Sequence, residues 1–364
     1  MTDPFSPLSL ARGPAWKNRL MLAPLTNLQS YPDGRLSDDE FRWLTMRAEG
    51  GFGLVMTCAS HVQRQGQGFP GQLGVYSDDH LPGLTRLAAA IKAQGAVASL
   101  QLHHAGIRSP RELIGETPVG PSDDAETCAR ALTTAEVETL IDDFVAAAAR
   151  AQKAGFDGVE IHGAHGYILC AFLSPQTNRR TDAYGGSPEN RARVVRQIIA
   201  GIRARCRPDF QLGLRLSPER FGLVMGEIRD LAADLLLSGD LDFLDMSLWD
   251  AFKAPVDDAF AARPLIDWFT DLPRGATRLG AAGKITSAQT VRRLLGHGAD
   301  FAIIGRAAVL HHDFPARVAA DADFQPIALP VSRDHLRREG LGPAFVEYMN
   351  GWKGFVAEEA EAAA

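Results

Sequence analysis

Short apolar runs alternate with amphipathic, Ala- and Glu-rich patterns along the chain, and this alternation restricts the fold more than any other feature of the sequence. Each run has the length of a buried strand, and each following pattern has the period of a helix. Eight such units predict one (β/α)8 TIM barrel, because right-handed crossovers between parallel strands lead naturally to closure of the sheet. The predicted strands cover residues 19–23, 54–60, 96–102, 156–161, 211–216, 241–246, 277–279 and 300–304.

Capping signals mark several helix starts. Three segments fit the capping box, in which Ser or Thr is followed three residues later by Glu or Gln. They begin at Ser37, Thr133 and Thr286, and they predict helices that end near residues 49, 154 and 296. Ser187 followed by Pro188 predicts another helix to about residue 205, since proline favours the first helical position. Further helices are predicted at 79–94 and 226–237.

The 364 residues are predicted to form a single domain with extra loops, although the length also fits two ordinary domains. The barrel core is expected at about 18–312, a helical C-terminal extension at about 313–355, and a polar tail that frays at 356–364. The aromatic segment from Phe345 to Phe355 is expected to pack on its own barrel, with a homodimer contact that reaches a neighbouring site as the alternative. An open doubly wound sheet is the runner-up fold, but it needs G-x-G-x-x-G after its first strand, where this chain has A-P-L-T-N.

Charge and cysteine content argue against several classes of function. The net charge of -6 argues against nucleic acid or an anionic membrane as the main partner, and no apolar run is long enough to span a bilayer. The N-terminal segment lacks the basic and apolar regions of a signal peptide, so a cytoplasmic location is expected. The spacing of the cysteines suggests neither a zinc ribbon nor an iron–sulfur cluster; they are Cys58, Cys128, Cys170 and Cys206.

The stretch after the predicted fourth strand carries the densest chemistry. His162, His165 and Tyr167 directly follow the run FDGVEI. A spacing of three residues lets a turn aim both imidazoles in one direction, so that each can donate an N–H to the same oxygen. Tyr167 adds a phenol that can donate a proton. The group is predicted to hold a carbonyl or oxyanion beside an acid, with a pair of zinc ligands as the alternative for the histidines.

Polar residues also follow the other predicted strands, at the end where TIM barrels carry their active sites. Loops after strands seven and eight often build a phosphate site, and backbone N–H groups with an arginine suit a phosphate dianion. Gly305-Arg306 therefore suggests a phosphorylated cofactor, although the pair read alone also fits a surface turn with a solvated arginine. The strand-end residues are Pro24, Thr26, Cys58, Gln101, His103, Arg215, Gly283, Lys284, Gly305 and Arg306.

Taken together, these segments resemble the old yellow enzyme family of flavin mononucleotide (FMN) ene-reductases. The longest match is GFDGVEIHGAHGYI at 155–168, which continues as SPQTNRRTDAYGGSPENR at 174–191. Other matches occur in family order and extend the resemblance to nearly the whole chain. They are NRLMLAPLTN at 18–27, QLHHAG at 101–106, LRLSPE at 214–219, GKIT at 283–286 and ADFAIIGRAAV at 299–309.

The resemblance implies that FMN binds along the strand ends. Pro24, Leu25 and Thr26 are expected to line the flavin, with the Thr26 hydroxyl near its N5–O4 edge and Cys58 against the isoalloxazine. Gln101 is expected at the pyrimidine edge. Arg215 is expected at the N1–O2 region of the flavin. The residues expected around the phosphate are Gly283, Lys284, Gly305 and Arg306.

The resemblance also implies the reaction. NADH or NADPH reduces FMN, and an activated alkene such as an α,β-unsaturated carbonyl compound then receives the hydride at its β-carbon. His162 and His165 are expected to bind the carbonyl oxygen, and Tyr167 is the expected proton donor to the α-carbon. Tyr31 and Trp249, in loops after strands, are expected to line the substrate pocket. The same clamp suits enones, enals, nitroalkenes, maleimides and nitrate esters.

Two other functions are compatible with a barrel of this kind. A metal-dependent hydrolase or lyase can use His103, His104, His162 and His165 as ligands, but such sites also need carboxylates, and the nearest, Glu160, lies within the strand. Adjacent residues on a strand face opposite ways, so at most one of the first two histidines is expected to face the site. A flavin-binding protein without catalysis is disfavoured, because a mere binder has no use for a placed acid.

Overall fold

Eight parallel strands close into a barrel in the computed structural model, which describes residues 2–358. The strands follow one another in chain order around the barrel, and the last pairs with the first. The predicted (β/α)8 fold is therefore confirmed. The strands are β1 Leu20–Leu22, β2 Leu54–His61, β3 Val97–His103, β4 Gly158–Gly163, β5 Gln211–Leu216, β6 Phe243–Ser247, β7 Arg278–Ala282 and β8 Phe301–Ile304.

Helices cover the outside of the barrel, and none within residues 2–358 is long and apolar enough to cross a membrane. The α-helices are Asp38–Glu49, Leu81–Ala93, Arg111–Ile114, Thr134–Lys153, Ile168–Leu173, Pro188–Arg205, Met225–Ser238, Asp267–Thr270, Ala288–Gly296, Arg306–Leu310, Phe314–Ala320, Arg333–Arg338 and Pro343–Asn350. Short 3-10 turns occur at Arg64–Gly66, Asp78–His80, Gly106–Arg108 and Asp258–Phe260. The long loop between β3 and β4 contains a two-stranded parallel ribbon formed by Val119–Gly120 and Arg130–Ala131.

The seventh strand is longer than the predicted 277–279. It begins at Arg278 and continues to Ala282. The Arg278 side chain lies at the start of the strand, where its Nε donates to the carbonyl oxygen of Ser9 at 3.1 Å. The charge therefore stays at the rim of the barrel and does not interrupt the strand.

The capping signals predict the helix starts to within one residue, but two of the three side-chain pairings differ. The box that begins at Thr133 forms as predicted. Ser37 caps its helix, whereas the Glu40 side chain turns inward and is fully buried. The third box is shifted by one residue along the chain and is formed by Ser287 with Thr290. The starts are local properties of the chain, but tertiary contacts decide where each partner side chain goes.

An apolar plug fills the N-terminal end of the barrel interior. Trp16 crosses this end and packs edge-to-face on Phe243 and Phe301, with ring centroids 5.6 Å and 4.9 Å away. Two strand glycines make room for the phenylalanines. A Cβ at Gly213 would lie 2.1 Å from the Phe243 ring, and a Cβ at Gly280 would lie 2.2 Å from the Phe301 ring. Stacked large and small residues thus close the barrel at the end away from the strand-end polar groups.

The segment after β8 folds back onto the barrel. Phe345 packs edge-to-face on Trp43, with ring centroids 4.8 Å apart. The start of the predicted polar tail is ordered by backbone bonding, because Val331 pairs with Val356. Residues 359–364 of that tail lie outside the described residues. The division into one core and one extension stays a prediction.

Candidate active site

A cavity of about 530 Å³ opens at the C-terminal ends of the strands. This volume is in the range of small-molecule sites. Most of the predicted site residues line it, and two, Cys58 and Tyr31, do not. The predicted residues in the lining are Pro24, Leu25, Thr26, Gln101, His162, His165, Tyr167, Arg215, Trp249, Gly283, Lys284, Gly305 and Arg306.

The expectation that Cys58 faces the cavity is corrected by a bulge in β2. The pairing of β2 with β3 jumps from Met56 opposite Ser99 to Ala59 opposite Gln101. The extra residue reverses the alternation of side chains along the strand. Cys58 therefore packs in the core between the barrel and its helices, and Ala59 lines the cavity in its place.

Tyr31 also lies away from the cavity. It begins a tight turn in which the Gly34 N–H donates to the Tyr31 carbonyl oxygen at 2.9 Å, and its side chain is 50% exposed. The turn directs this ring to solvent, so the assignment of Tyr31 to the substrate pocket is corrected. Trp249 does line the cavity, and because its side chain is 56% exposed it lies at the mouth.

His162 and His165 form a pair at the end of β4. His165 has a left-handed backbone with φ of 63°, and its N–H donates to Ser217 Oγ at 3.1 Å. This turn folds the chain back, so that His162 Nε2 and His165 Nδ1 lie 3.2 Å apart. The predicted turn spacing is therefore found, and the two rings face each other across a small gap.

Hydrogen bonds around the pair indicate where the ring protons lie. Ala164 N–H donates to His162 Nδ1 at 3.3 Å, so His162 carries its proton on Nε2. Arg215 Nη2 donates to Ser247 Oγ at 3.3 Å, and the same oxygen has a second lone pair that accepts from His165 Nε2–H at 2.7 Å. His165 then carries its proton on Nε2, and its Nδ1 accepts from His162 Nε2–H at 3.2 Å. The two rings form a hydrogen-bonded chain that ends on Ser247, with one N–H and one lone pair at the facing nitrogens.

Both imidazoles are neutral. Burial lowers the pKa of each well below its ordinary value; the charge of the other ring adds to this for His162, and the Arg215 guanidinium adds to it for His165. Neutral rings each keep one N–H and one lone pair, so the network of donors described above is maintained at neutral pH. The pair can polarise an oxygen by hydrogen bonding without a formal charge.

The Tyr167 ring packs beside this pair. Its centroid lies 5.2 Å from that of His162 and 4.4 Å from that of His103. Burial raises the pKa of the phenol, so Tyr167 holds its proton at neutral pH. His104 instead accepts a hydrogen bond from Gly106 N–H at 3.0 Å. Only one of the two adjacent histidines faces the site, and the four histidines of the metal hypothesis do not converge.

Gln101 and Arg215 line the cavity and rest on two buried carboxyl groups. Gln101 Nε2 donates to Glu160 Oε1 at 2.7 Å, and Arg215 Nε lies 3.0 Å from Asp245 Oδ2. Burial and the charge of Asp245 raise the pKa of Glu160 to about 8, and burial raises the pKa of Asp245 to about 6. Glu160 is therefore neutral at pH 7, and the charge of Asp245 balances that of Arg215.

The loops after β7 and β8 bring glycine and cations to the same cavity. Gly283 has φ of 157°, and a Cβ there would lie 2.7 Å from the Ala251 nitrogen, so the backbone approaches too closely for a side chain. Lys284 Nζ lies 2.9 Å from Asp250 Oδ2, and Arg306 lines the wall nearby. Two cations beside a crowded glycine loop suit a phosphate.

The matching family model identifies the chain. It is that of the NADH:flavin oxidoreductase / NADH oxidase family, and it covers residues 3–323. The chain belongs to this family, the old yellow enzymes. A probable NADH-dependent flavin oxidoreductase of Bacillus subtilis (strain 168), YqiG, is 37% identical over 332 residues, which cover 88% of this chain and 89% of YqiG. An NADPH dehydrogenase of Halalkalibacterium halodurans is 35% identical over 319 residues, which cover 86% of this chain and 93% of that protein.

Solved structures agree with the family model. An old yellow enzyme homologue from Zymomonas mobilis superposes with a TM-score of 0.80 at 27% identity, over 95% of this chain and 99% of that one. Some relatives are longer: the chain spans 36% of the NADH:fumarate oxidoreductase of Klebsiella pneumoniae (strain 342), at 35% identity. As an old yellow enzyme, the protein is an NAD(P)H-dependent flavin oxidoreductase with FMN as its cofactor.

The residues of this old yellow enzyme fit FMN by their chemistry. Pro24 and Leu25 offer an apolar surface for a flat ring. Gln101 and Arg215 are buried polar groups that can bond a pyrimidine edge. The loop at Gly283, which has no space for a side chain, suits a phosphate beside its backbone.

One wall of the cavity comes from a segment that the sequence analysis did not assign to the site. The helix Pro343–Asn350 contributes Phe345, Tyr348 and Met349 to the cavity lining, and Trp352, two residues beyond the helix end, lines it as well. Their spacing of three to four residues places them on one face of a helix, which is the signal that points to a shared surface. The expected packing of this segment on its own barrel is found, and it forms part of the site as well.

Proposed function

We propose that this old yellow enzyme reduces activated alkenes, with His162 and His165 as donors to the substrate's carbonyl oxygen and Tyr167 as the acid. The observation that carries the proposal is a pair of neutral imidazoles whose facing nitrogens, His162 Nε2 and His165 Nδ1, lie 3.2 Å apart beside a protonated phenol. A binding site for a flavin alone has no need of this arrangement. An alkene conjugated to a carbonyl group needs both parts of it.

The cofactor is assigned to the remaining lining residues. When bound, FMN supplies the transfer of hydride from NAD(P)H to the β-carbon of the alkene. Its ring is assigned to the apolar surface near Ala59 and its pyrimidine edge to Gln101 and Arg215, which would bond that edge and place a positive charge beside it. The other assigned contacts are Pro24, Leu25 and Thr26 for the ring, and Gly283, Lys284, Gly305 and Arg306 for the phosphate.

The two histidines act on the carbonyl oxygen. Addition of hydride at the β-carbon moves negative charge onto that oxygen, which can accept from His162 Nε2–H at the place now taken by His165 Nδ1. His165 donates to the same oxygen in its Nδ1–H tautomer, in which the Ser247 hydroxyl donates to Nε2 while its oxygen accepts from Arg215. One preorganised donor typically lowers a barrier by about 3 kcal/mol.

Tyr167 completes the reaction by proton transfer. Its Oη–H bond breaks as the proton moves to the α-carbon, and the electron pair of the enolate forms the new C–H bond. The phenol is suited to this role because burial raises its pKa and keeps it protonated between turnovers. Solvent then returns a proton to the phenolate.

The mouth of the cavity favours flat, largely apolar substrates. Trp249 is assigned to one side of the mouth, and Phe345, Tyr348 and Trp352 form the wall described above. A cyclic enone or an enal has the size and polarity for such a slot. A cytoplasmic location and a homodimer stay predictions, and size-exclusion chromatography of the purified protein tests the second.

The visible absorption spectrum of the holoenzyme tests the proposal. Without oxygen, NADPH or NADH should bleach the flavin bands, and cyclohexenone should restore them. Cyclohexanone, which has the same carbonyl group but no conjugated alkene, is the matched control and should leave the bleached spectrum unchanged. A flavin that bleaches but is not restored by cyclohexenone or other activated alkenes would keep the family assignment and overturn the proposed substrate class.

A further inference from the structure

Arg108 lies just outside the cavity and contacts two residues of the proposed site. It ends the 3-10 turn Gly106–Arg108, which follows β3. Its Nη1 donates to the backbone carbonyl oxygen of His165. Its guanidinium carbon lies 4.8 Å from the centroid of the Tyr167 ring. One exposed arginine therefore bonds the oxygen-binding turn and stacks on the acid at the same time.

The turn that Arg108 contacts is tightly fitted. The backbone of His165 has φ of 63°, a left-handed conformation that residues other than glycine rarely adopt. The segments after β3 and β4 are already joined, because Ile168 N–H donates to the His104 carbonyl oxygen at 3.1 Å. A Cβ at Gly106 would lie 3.0 Å from the Ile168 Cα, so the two segments are in close contact. A charged donor on the His165 carbonyl adds a second link across the same junction.

The position of the charge also matters for the acid. A cation over the face of an aromatic ring is attracted to the ring, and the attraction grows when a phenol becomes a phenolate. Burial raises the pKa of Tyr167, and the positive charge of Arg108 acts in the opposite direction. Arg108 therefore makes the buried phenol a stronger acid than its surroundings alone would allow.

We propose that Arg108 is a positioning residue for proton transfer, which holds the His165–Tyr167 turn and stabilises the phenolate that forms when Tyr167 gives its proton to the α-carbon. The proposal rests on the proposed function, in which Tyr167 is the acid. Arg108 exchanges no proton itself. The proton leaves Tyr167 Oη, the enolate electron pair forms the C–H bond, and water restores the phenol.

The ionisation of Tyr167 is the first test. In holoenzyme labelled with carbon-13 at the tyrosine ring carbon that bears oxygen, the Tyr167 resonance is assigned by its loss in Tyr167→Phe. Arg108→Met should raise the pKa of this phenol, and Arg108→Lys, which keeps a positive charge, should raise it less. Arg111→Met removes the same charge from an exposed residue three positions along the chain and should leave the pKa unchanged. An unchanged pKa in Arg108→Met overturns the proposal.

A double-mutant cycle on the alkene-dependent step is the second test. With cyclohexenone, Arg108→Met should slow reoxidation of the reduced enzyme by about three- to tenfold, the scale of one cation–π contact with a charged hydrogen bond. In the Tyr167→Phe background the same change should have a clearly smaller effect, because the stabilisation of the phenolate is lost and only the bond to the His165 carbonyl oxygen remains. Arg111→Met, the charge control, should leave both reduction by NAD(P)H and reoxidation unchanged. An equal slowing in both backgrounds overturns the proposal.

The two tests separate failure of this inference from failure of the proposed function. If Tyr167→Phe does not slow the alkene-dependent step, Tyr167 is not the acid, and both ideas fail. If Tyr167→Phe slows that step but Arg108→Met changes neither the pKa nor the rate, only the role of Arg108 is overturned.

Discussion

The two ends of the barrel interior are built by the same strands and have opposite chemistry. At the N-terminal end, Trp16, Phe243 and Phe301 interlock in an apolar plug. At the other end, Arg215 and Asp245 form a buried ion pair. β6 contributes to both, because Phe243 lies at its start and Asp245 two residues later. A residue's position along a strand, rather than its strand, therefore decides whether it serves stability or chemistry.

The comparison shows that the chemical end is costly to fold. A buried aromatic cluster gains free energy from burial and from ring contacts. A buried ion pair loses hydration, and its attraction offsets this loss only in part. Glu160 adds an uncharged acid with one carboxyl oxygen that has no hydrogen-bond partner among the described residues. The apolar end stabilises a barrel whose polar end is maintained for binding and catalysis.

Removal of both oxygen donors should produce the largest effect and should be confined to the chemical end. His162→Ala/His165→Ala is expected to slow the alkene-dependent step by at least about 10²- to 10³-fold, the loss typical of one preorganised donor. The flavin content and the urea midpoint should change little. The measurements are stopped-flow reoxidation with cyclohexenone and the absorbance ratio of flavin to protein. Equal losses of rate and of FMN binding would contradict the assigned roles.

Truncation of the plug should have the converse effect. Trp16→Ala leaves a cavity between Phe243 and Phe301 and is expected to lower the free energy of unfolding by about 3–5 kcal/mol. Urea unfolding of the holoenzyme measures this change, and Trp16→Phe, which keeps a ring, is the milder control. The folded fraction should reoxidise with cyclohexenone at the wild-type rate. A matching loss in that rate would show that the two ends are not independent.

The smallest expected effect is on the pH dependence of the free energy of unfolding, to which the buried acid Glu160 contributes at the chemical end. The pKa of Glu160 is raised from 4.5 to about 8, so the folded chain keeps a proton that the unfolded chain has released at intermediate pH. Stability therefore falls as pH rises between these values, since the folded state binds more protons than the unfolded state. Glu160→Gln can still accept from Gln101 and has no proton to lose. Its free energy of unfolding should fall less than that of wild type between about pH 5 and about pH 8.

Urea unfolding at the two pH values makes this measurement, and Glu112→Gln, at an exposed carboxyl group, is the control that should follow wild type. Identical pH dependence in Glu160→Gln and wild type would mean that Glu160 is charged in the folded chain. The chemical end would then hold two carboxylates against one guanidinium.

The fold could be predicted from sequence because its signals are local and repeated. Apolar runs, capping residues and glycines each act within a few residues, and eight repeats of them leave few topologies. The predictions are wrong where a residue distant in sequence determines the position of a side chain. The Glu40 side chain, predicted to close a capping box, instead turns inward and accepts a hydrogen bond from Asn27 Nδ2 at 3.1 Å.

The site was predictable where it follows strand ends and less so where geometry departs from regular alternation. His162, His165 and Tyr167 are adjacent in sequence, so their grouping was visible. Cys58 was misplaced because a bulge is an irregularity of pairing, which depends on the neighbouring strand. Arg108 was missed because nothing in its local sequence shows that its side chain crosses to the end of β4.

The position of the helix Pro343–Asn350 in the chain separates residues at the cavity wall from the residues assigned to catalysis, and this separation bears on how the protein can evolve. The residues assigned to FMN and to proton transfer lie on barrel strands, on the segments that directly follow them or, for Arg306, at the start of the helix after the eighth strand, whereas Tyr348 and Trp352 lie in a segment about forty residues further along the chain. Substitutions in that segment can alter which molecules enter without altering the groups that act on them. Related enzymes can therefore differ in substrate specificity while they keep the same residues for FMN binding and proton transfer.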